Sequence, residues 1–208
     1  SSEAEKADVL IFNHELSPSQ ARNIEKATGM NVRTRTEVIL DIFAVHARTR
    51  AARLQVEMAK LTYEMPRIIG KVIDMSLIEV CIHIKGPSEQ QTERDRRRIR
   101  KRIADIRSEL KILSVERENQ RKKRVRGEKK IAIVGYTNSG KSTLLNRLTK
   151  SGVTAQNQLF VTLDTTTRKL WLNHGLNAVI TDTVGFIRDI PHGLIESFSS
   201  TFQDALTS

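Results

Sequence analysis

Residues 135–142 read Gly-Tyr-Thr-Asn-Ser-Gly-Lys-Ser, a complete G-x-x-x-x-G-K-S phosphate-binding loop. No other feature restricts the fold as much, because this motif works only between a strand and a helix. Both flanks comply. Lys130-Ile131-Ala132-Ile133-Val134 is short, apolar and β-branched, as a buried strand is. Leu144–Lys150 has a helical pattern, with Gly152 placed to cap its end. In that setting Gly135 and Gly140 let backbone N–H groups turn inward around a phosphate, and the helix N-terminus adds partial positive charge. Lys141 can reach β- and γ-phosphates, and the Ser142 hydroxyl can ligate Mg²⁺. The expected nucleotide contacts here are Gly135, Tyr136, Thr137, Asn138, Ser139, Gly140, Lys141, Ser142 and Thr143.

A second motif follows about 40 residues later. Asn177-Ala178-Val179-Ile180 is apolar and delivers Thr181-Asp182-Thr183-Val184-Gly185. An Asp at the end of a core strand, this far behind the loop lysine, suits an acid that holds Mg²⁺ through water. The Gly185 N–H would then face the γ-phosphate, with Asp182, Thr183 and Val184 beside it. Arg168–Leu172, Asn173-His174-Gly175 and Asn177–Ile180 read as a hairpin. A hairpin before D-x-x-G distinguishes GTPase domains from most P-loop ATPases. Between the motifs runs Gln158-Leu159-Phe160-Val161-Thr162-Leu163-Asp164-Thr165-Thr166-Thr167-Arg168, where a switch loop belongs. Thr162, Thr165, Thr166 and Thr167 are all candidates for the threonine on Mg²⁺, and spacing does not choose among them.

The chain as a whole is strongly basic, with a formal net charge of +11. Between Glu89 and Lys130 there are 17 Lys/Arg and 8 Asp/Glu, so this fifth of the chain carries a net of +9. It has no aromatic residue, which excludes a base-stacking platform and favours phosphate-backbone contact with folded RNA. The alternative for these charges is a solvated helix face with i,i+4 pairing. One cysteine, Cys81, excludes an internal disulfide and suits a reducing compartment. No apolar run approaches membrane-span length, and Ser1–Glu5 has no signal-peptide character. A cytoplasmic, membrane-free monomer is expected. The lone His83 reads as structural, and no His/Cys group has zinc spacing.

The basic segment is also a long helix candidate. Glu89–Arg126 contains no Pro or Gly, and Ser88 can cap it after Pro87. Ile99, Ile103, Ile106, Leu110 and Leu113 form a seam at spacings of 4, 3, 4 and 3. Residues 36–65 offer a matching seam in Val38, Ile42, Val45, Leu54, Met58, Leu61 and Met65. Two such helices predict an antiparallel pair. Between them Leu77–Lys85 alternates like a strand. Ahead of them, Asp8–Phe12 reads as a strand, Ser17-Pro18 opens a helix ending near Gly29, and Asn31–Thr34 reads as a second strand, parallel to the first.

G-Y-T-N-S-G-K-S at 135–142, Q-L-F-V-T-L-D at 158–164, and D-T-V-G-F-I-R at 182–188 with Pro191-His192 resemble the HflX family of ribosome-associated P-loop GTPases. Leu10–Gln20 and Arg35–Ala44 resemble its N-terminal half, and the likeness covers most of residues 8–65 and 86–208. The resemblance implies binding and hydrolysis of GTP to GDP, and association with the large ribosomal subunit and its RNA to split or rescue stalled ribosomes. It also implies that Thr162, within Phe160-Val161-Thr162-Leu163-Asp164, is the switch threonine. Lys141, Thr162 and Gly185 would then be the catalytic set, and Ser142, Thr162 and Asp182 the Mg²⁺ set. In several GTPases that this loop resembles, an Asn at the position of Asn138 coordinates K⁺; the alternative is that Asn138 serves a tight turn. Phe186 stands where Ras-like proteins place the Gln that orients water, which predicts slow intrinsic hydrolysis. Two departures stand out. Lys85-Gly86-Pro87-Ser88-Glu89 replaces the family's usual R-G-P-G-E after a glycine-rich loop, and the sequence contains no N-K-x-D to read guanine.

The expected fold is α/β: a partial P-loop GTPase domain at 129–208, preceded at 1–128 by an α/β lobe with a long antiparallel two-helix arm. The lobe would occupy 1–35 and the arm 36–128. The expected function is that of a GTPase, weakly active over this span, which lacks the guanine-reading motif. The competing readings are a ribosome- or RNA-binding module with an incomplete, non-hydrolysing nucleotide lobe, and a P-loop ATPase.

Overall fold

The computed structural model describes residues 7–79, 87–123, 129–149, 166–171, 177–183 and 185. The elements run β1 (Val9–Phe12), α1 (Pro18–Thr28), β2 (Asn31–Thr34), α2 (Arg35–His46), α3 (Arg50–Glu79), α4 (Pro87–Lys123), β3 (Lys129–Ile133), α5 (Lys141–Thr149), β4 (Thr166–Trp171) and β5 (Asn177–Asp182). The chain divides into two compact units, Ser1–Asp41 with Met58–Ile106, and Ile42–Glu57 with Arg107–Ser208.

In the first unit, β1 and β2 pair in parallel, Val9 beside Asn31 through Phe12 beside Thr34. The intervening α1 starts where its sequence dictates. Ser17 Oγ accepts the Gln20 N–H, the Gln20 side chain accepts the Ser17 N–H, and Pro18 fills the first turn. The helix stops at Gly29, whose φ of 68° is the left-handed conformation glycine adopts without strain. The strand–helix–strand expectation therefore holds at both ends.

The helical region differs from expectation in three places. Residues 36–65 are not one helix: α2 ends at His46, and α3 begins at Arg50. Thr49 causes the restart, because its Oγ1 accepts the Ala52 N–H at 3.1 Å while Arg53 Nε closes onto the Ala47 carbonyl. The inward face of α2 is also displaced. Ile39, Leu40, Phe43 and the following Ala47 are buried, whereas Val45 is 81% exposed. The Val38, Ile42, Val45 spacing is equally helical, but the face holding Phe43 buries more apolar surface. Finally, α3 continues through Pro66 to Glu79, so Leu77–Glu79 are helical rather than strand-like. A mid-helix proline costs ~3 kcal/mol, yet it removes only one hydrogen bond from a helix of 30 residues. The rest of that alternating stretch, from Val80, lies outside the described residues.

The basic helix α4 begins at Pro87, so Ser88 lies inside it rather than capping it; proline is favoured at a first helical position. Its seam is as predicted, with Ile103 and Ile106 buried and Ile99, Leu110 and Leu113 partly so. The outward Arg97 and Arg98 pair with Glu93 and Asp95, respectively.

In the second unit the sheet order is β3-β5-β4. β5 lies parallel to β3 and antiparallel to β4, which makes β4 and β5 the expected hairpin pair. Ala178 and Ile180 of β5 and Leu145 of α5 are buried, fixing the helix against the sheet. The turn at 172–176 and the Gly152 cap lie outside the described residues.

Candidate functional site

Register brings the two motifs together. Ile133, the last residue of β3, pairs with Asp182, the last of β5. Two parallel strands thus end at one edge, and the phosphate loop leaves from one of them. In open α/β sheets the carboxyl ends of strands are where ligands bind. Thr183 Oγ1 donates to the Ile133 carbonyl at 2.7 Å and pins the second motif beside the first. Nothing in the sequence pattern pointed to that bond. It uses the hydroxyl of an x position of D-x-x-G.

The loop has two residues in the left-handed region, one of them a glycine. Gly140 has a φ of 83° and Asn138 one of 58°. Asn tolerates this left-handed region better than most residues, so the tight-turn reading of Asn138 has direct geometric support. Ser139 N–H donates to the Tyr136 carbonyl at 3.3 Å, and the Leu144 N–H to the Gly140 carbonyl at 2.8 Å, starting α5. Thr143 lies in the first turn of α5, after Lys141 and Ser142.

Two polar contacts define the centre. Ser142 Oγ donates to Asp182 Oδ2 at 2.5 Å, and Asp182 is 0% exposed. Lys141 Nζ donates to the Tyr136 carbonyl at 2.6 Å. Burial lowers the Lys141 pKa, and attraction to Asp182 opposes that shift. A hydroxyl and a carboxylate held together beside a lysine are hard oxygen donors suited to Mg²⁺, which takes few protein ligands alongside phosphates. The donor set therefore fits the metal.

Gly185 sits directly on this loop. A Cβ at Gly185 would lie 2.6 Å from Thr137 N and Cα, and 2.7 Å from Lys141 Nζ. Only glycine permits so close an approach. Gly135 is also confined, since a Cβ there would stand 3.1 Å from Ser139 Oγ.

The candidate switch threonines separate. Thr166 and Thr167 belong to β4, Thr166 beside Asp182 in the register, and Thr167 Oγ1 lies 3.2 Å from Thr181 Oγ1. Thr166, the first residue of β4, therefore lies at the end of the sheet from which the phosphate loop leaves. Phe160, Val161, Thr162, Leu163, Asp164, Thr165, Val184 and Phe186 lie outside the described residues. Among the described residues there is no cluster of three or more His, Cys, Asp or Glu that could hold a metal, and no helix long and apolar enough to cross a membrane.

Comparison with known proteins accounts for nearly the whole chain. Residues 1–44, 46–124 and 130–207 match, in order, family profiles described as GTP-binding GTPase N-terminal, GTP-binding GTPase Middle Region and 50S ribosome-binding GTPase. A protein named GTPase HflX from Alkalihalophilus pseudofirmus is 47% identical over 203 residues, spanning 97% of this chain and 48% of its own length. Its namesake from Escherichia coli is 43% identical over 199 residues, spanning 95% and 47%. The crystal structure of a complex of SsGBP and GDP is similar with a TM-score of 0.50 at 28% identity, covering 97% of this chain and 52% of the other. The chain thus spans about half the length of the curated relatives it matches.

Proposed function

Since the chain belongs to the HflX family of GTPases, we propose that it binds GTP with Mg²⁺, hydrolyses it to GDP, and couples that cycle to the large ribosomal subunit. One observation carries the nucleotide part. A buried carboxylate and the phosphate-loop hydroxyl meet at 2.5 Å, at the edge where two parallel strands end.

The roles follow from position. The N–H groups of residues 135–143 cradle the phosphates, and Lys141 leaves the Tyr136 carbonyl to neutralise the β- and γ-oxygens. Ser142 and, through water, Asp182 hold Mg²⁺, which would draw charge from the phosphate oxygens. Thr162 adds its hydroxyl when GTP is bound, with Phe160, Val161, Leu163 and Asp164 around it. Gly185, with Thr183 and Val184 before it, offers its N–H to the γ-phosphate from its seat on Thr137. The Asn138 side chain remains a proposed K⁺ ligand, because its φ fixes the backbone and leaves the amide oxygen's role open.

For the ribosome, the support is the +9 charge of 89–130, an excess that remains although the outward Arg97 and Arg98 of α4 pair with Glu93 and Asp95 along the helix. We place the lobe at 1–35, the arm at 36–128 and the GTPase part at 129–208, in a cytoplasmic monomer. An antiparallel α3–α4 pairing is supported by Arg50, at the start of α3, which forms an ion pair with Glu109 in the later half of α4.

The test is co-sedimentation with large ribosomal subunits across a salt series, with and without a non-hydrolysable GTP analogue. Analogue-enhanced pelleting is expected. Pelleting indifferent to the analogue would leave an RNA-binding module with an inert nucleotide lobe. Lys141→Ala should weaken nucleotide binding by about 100-fold or more, since it removes a charge-assisted contact to phosphate. Unchanged binding would sink the site assignment, and ATP competing as well as GTP would favour an ATPase.

A further inference from the structure

The first unit contains a polar cluster that the nucleotide site does not use. Glu15, in the loop between β1 and α1, spreads its two oxygens. Oε1 accepts Thr36 Oγ1 at 2.5 Å, and Oε2 accepts the Tyr63 hydroxyl at 2.6 Å. Glu37 does the same, with Oε2 accepting the Thr34 N–H at 2.9 Å and Oε1 accepting Arg67 Nη1. Arg67 closes the ring. Its Nη2 donates to the Tyr63 hydroxyl, and its guanidinium lies 4.2 Å from the Tyr63 ring centroid. Thr34 Oγ1 stands 2.7 Å from that hydroxyl. Six side chains from the β1–α1 loop, β2, α2 and α3 thus bond to one another. Burial, and after it the Glu15 hydrogen bond, push the Tyr63 pKa well above the usual tyrosine range, so the hydroxyl remains a donor.

Among the described residues, little buried apolar surface holds the strand–helix–strand lobe. The helix α1 buries no side chain, and neither residue of β1 that faces inward is fully covered. Val32 is the one buried apolar side chain among the described residues 7–34. A segment with few buried apolar contacts is the kind that opens by itself, below the cost of global unfolding.

We propose that Arg67, Tyr63, Glu15 and Glu37 form an electrostatic clasp that closes the 9–34 lobe onto α3, and that the lobe opens as a unit when the clasp is broken. The clasp has a sheltered half and an exposed half. Arg67 and Glu37 side chains are each 19% exposed, whereas Glu15 is 48% exposed. The Glu15 half is therefore open to salt, and the Arg67–Glu37 half is not. Arg67 is the cluster's single cation against two carboxylates, so its removal leaves them with hydroxyl and N–H donors but no opposite charge.

Hydrogen exchange on the full chain tests this. Arg67→Met keeps the length of the stem and removes the charge. It should speed exchange of the 9–34 amides by about tenfold or more, with 129–149 unchanged. Tyr63→Phe keeps the ring and loses only the hydroxyl. It should give the same pattern with a smaller factor. Raising the salt concentration should speed the 9–34 amides in the unaltered protein and have less effect in Arg67→Met. Unchanged 9–34 exchange in both variants overturns the clasp. Equal acceleration at 129–149 also overturns it, because the loss would then be global.

Discussion

Ser142–Asp182 and Thr36–Glu15 are both hydroxyl–carboxylate contacts of 2.5 Å, and their surroundings are opposite. Asp182 is fully buried at a sheet edge, whereas the Glu15 side chain is 48% exposed. The exposed carboxylate can exchange its partners for water, so it contributes through its cluster, and a single contact of this kind is worth ~1 kcal/mol or less. The buried one has no such exchange. It stays at the end of β5 against the phosphate-loop hydroxyl, out of reach of bulk water. A buried carboxylate beside a phosphate-loop hydroxyl is placed to meet a bound cation. The comparison sets the acid we propose for the metal against the acids we propose for the clasp.

Substituting the amide for the acid at Asp182 and at Glu37, the sheltered carboxylate of the Glu15 cluster, sharpens that contrast. Asp182→Asn should remove most of the Mg²⁺-dependent gain in nucleotide affinity, about 100-fold, or ~2.7 kcal/mol. Thermal stability of the nucleotide-free protein should be retained or rise, because a buried charge is gone. Glu37→Gln should do the reverse, lowering stability by roughly 1–3 kcal/mol and leaving nucleotide affinity alone. Isothermal titration with and without Mg²⁺, paired with thermal melts, reads both. A large drop in stability for Asp182→Asn would break the comparison, since Asp182 would then be structural as well.

A smaller effect is expected at Gly185. Alanine there would put a methyl 2.6 Å from the Thr137 backbone, which cannot move without distorting the phosphate loop. The D-x-x-G segment must lift away instead. Affinity for a GTP analogue should fall by about tenfold, while GDP, having no γ-phosphate for the Gly185 N–H, should bind nearly as before. Equal losses for both nucleotides would show that Gly185 supports the loop and does not sense the γ-phosphate.

How much of this was legible beforehand divides along the same line. The phosphate loop, the places of its strand and helix, the second motif and the α1 caps could all be read, because each is a local pattern whose residues lie within a turn or two of one another; the burial expected of β3 could not, since Ile131 is 39% exposed on it. The α2–α3 break could not, although Thr49 is an ordinary capping residue, because a helical period passes through 47–49 without visible interruption. Two apolar faces competed in α2, and only packing chose Phe43 over Val45. The clasp was invisible for a stronger reason. Glu15, Glu37, Tyr63 and Arg67 are each unremarkable in sequence, and their meeting depends on tertiary structure. Thr183 lay between the two, inside a recognised motif but with a bond to Ile133 that only strand register creates.

The mildest test concerns Lys141. Burial holds its pKa below the ordinary lysine value of 10.5, and Asp182 only partly restores it. In the nucleotide-free protein the folded state therefore releases its proton at lower pH than the unfolded chain does. Stability from this group rises with pH between the two values, because below the folded pKa a charged amine must be kept desolvated. Bound polyphosphate reverses the balance by favouring the ammonium, so the bound pKa is higher than the free one. Affinity is then fully present below the free-state pKa and declines as pH rises from there through the bound-state pKa, by at most about tenfold per pH unit. Proton uptake should accompany binding in that alkaline window, seen as a dependence of the calorimetric enthalpy on the buffer's ionisation enthalpy. Lys141→Arg keeps the charge on a group that does not titrate there. It should lose that proton uptake whatever its own affinity, and uptake that persisted in this variant would have to come from another group.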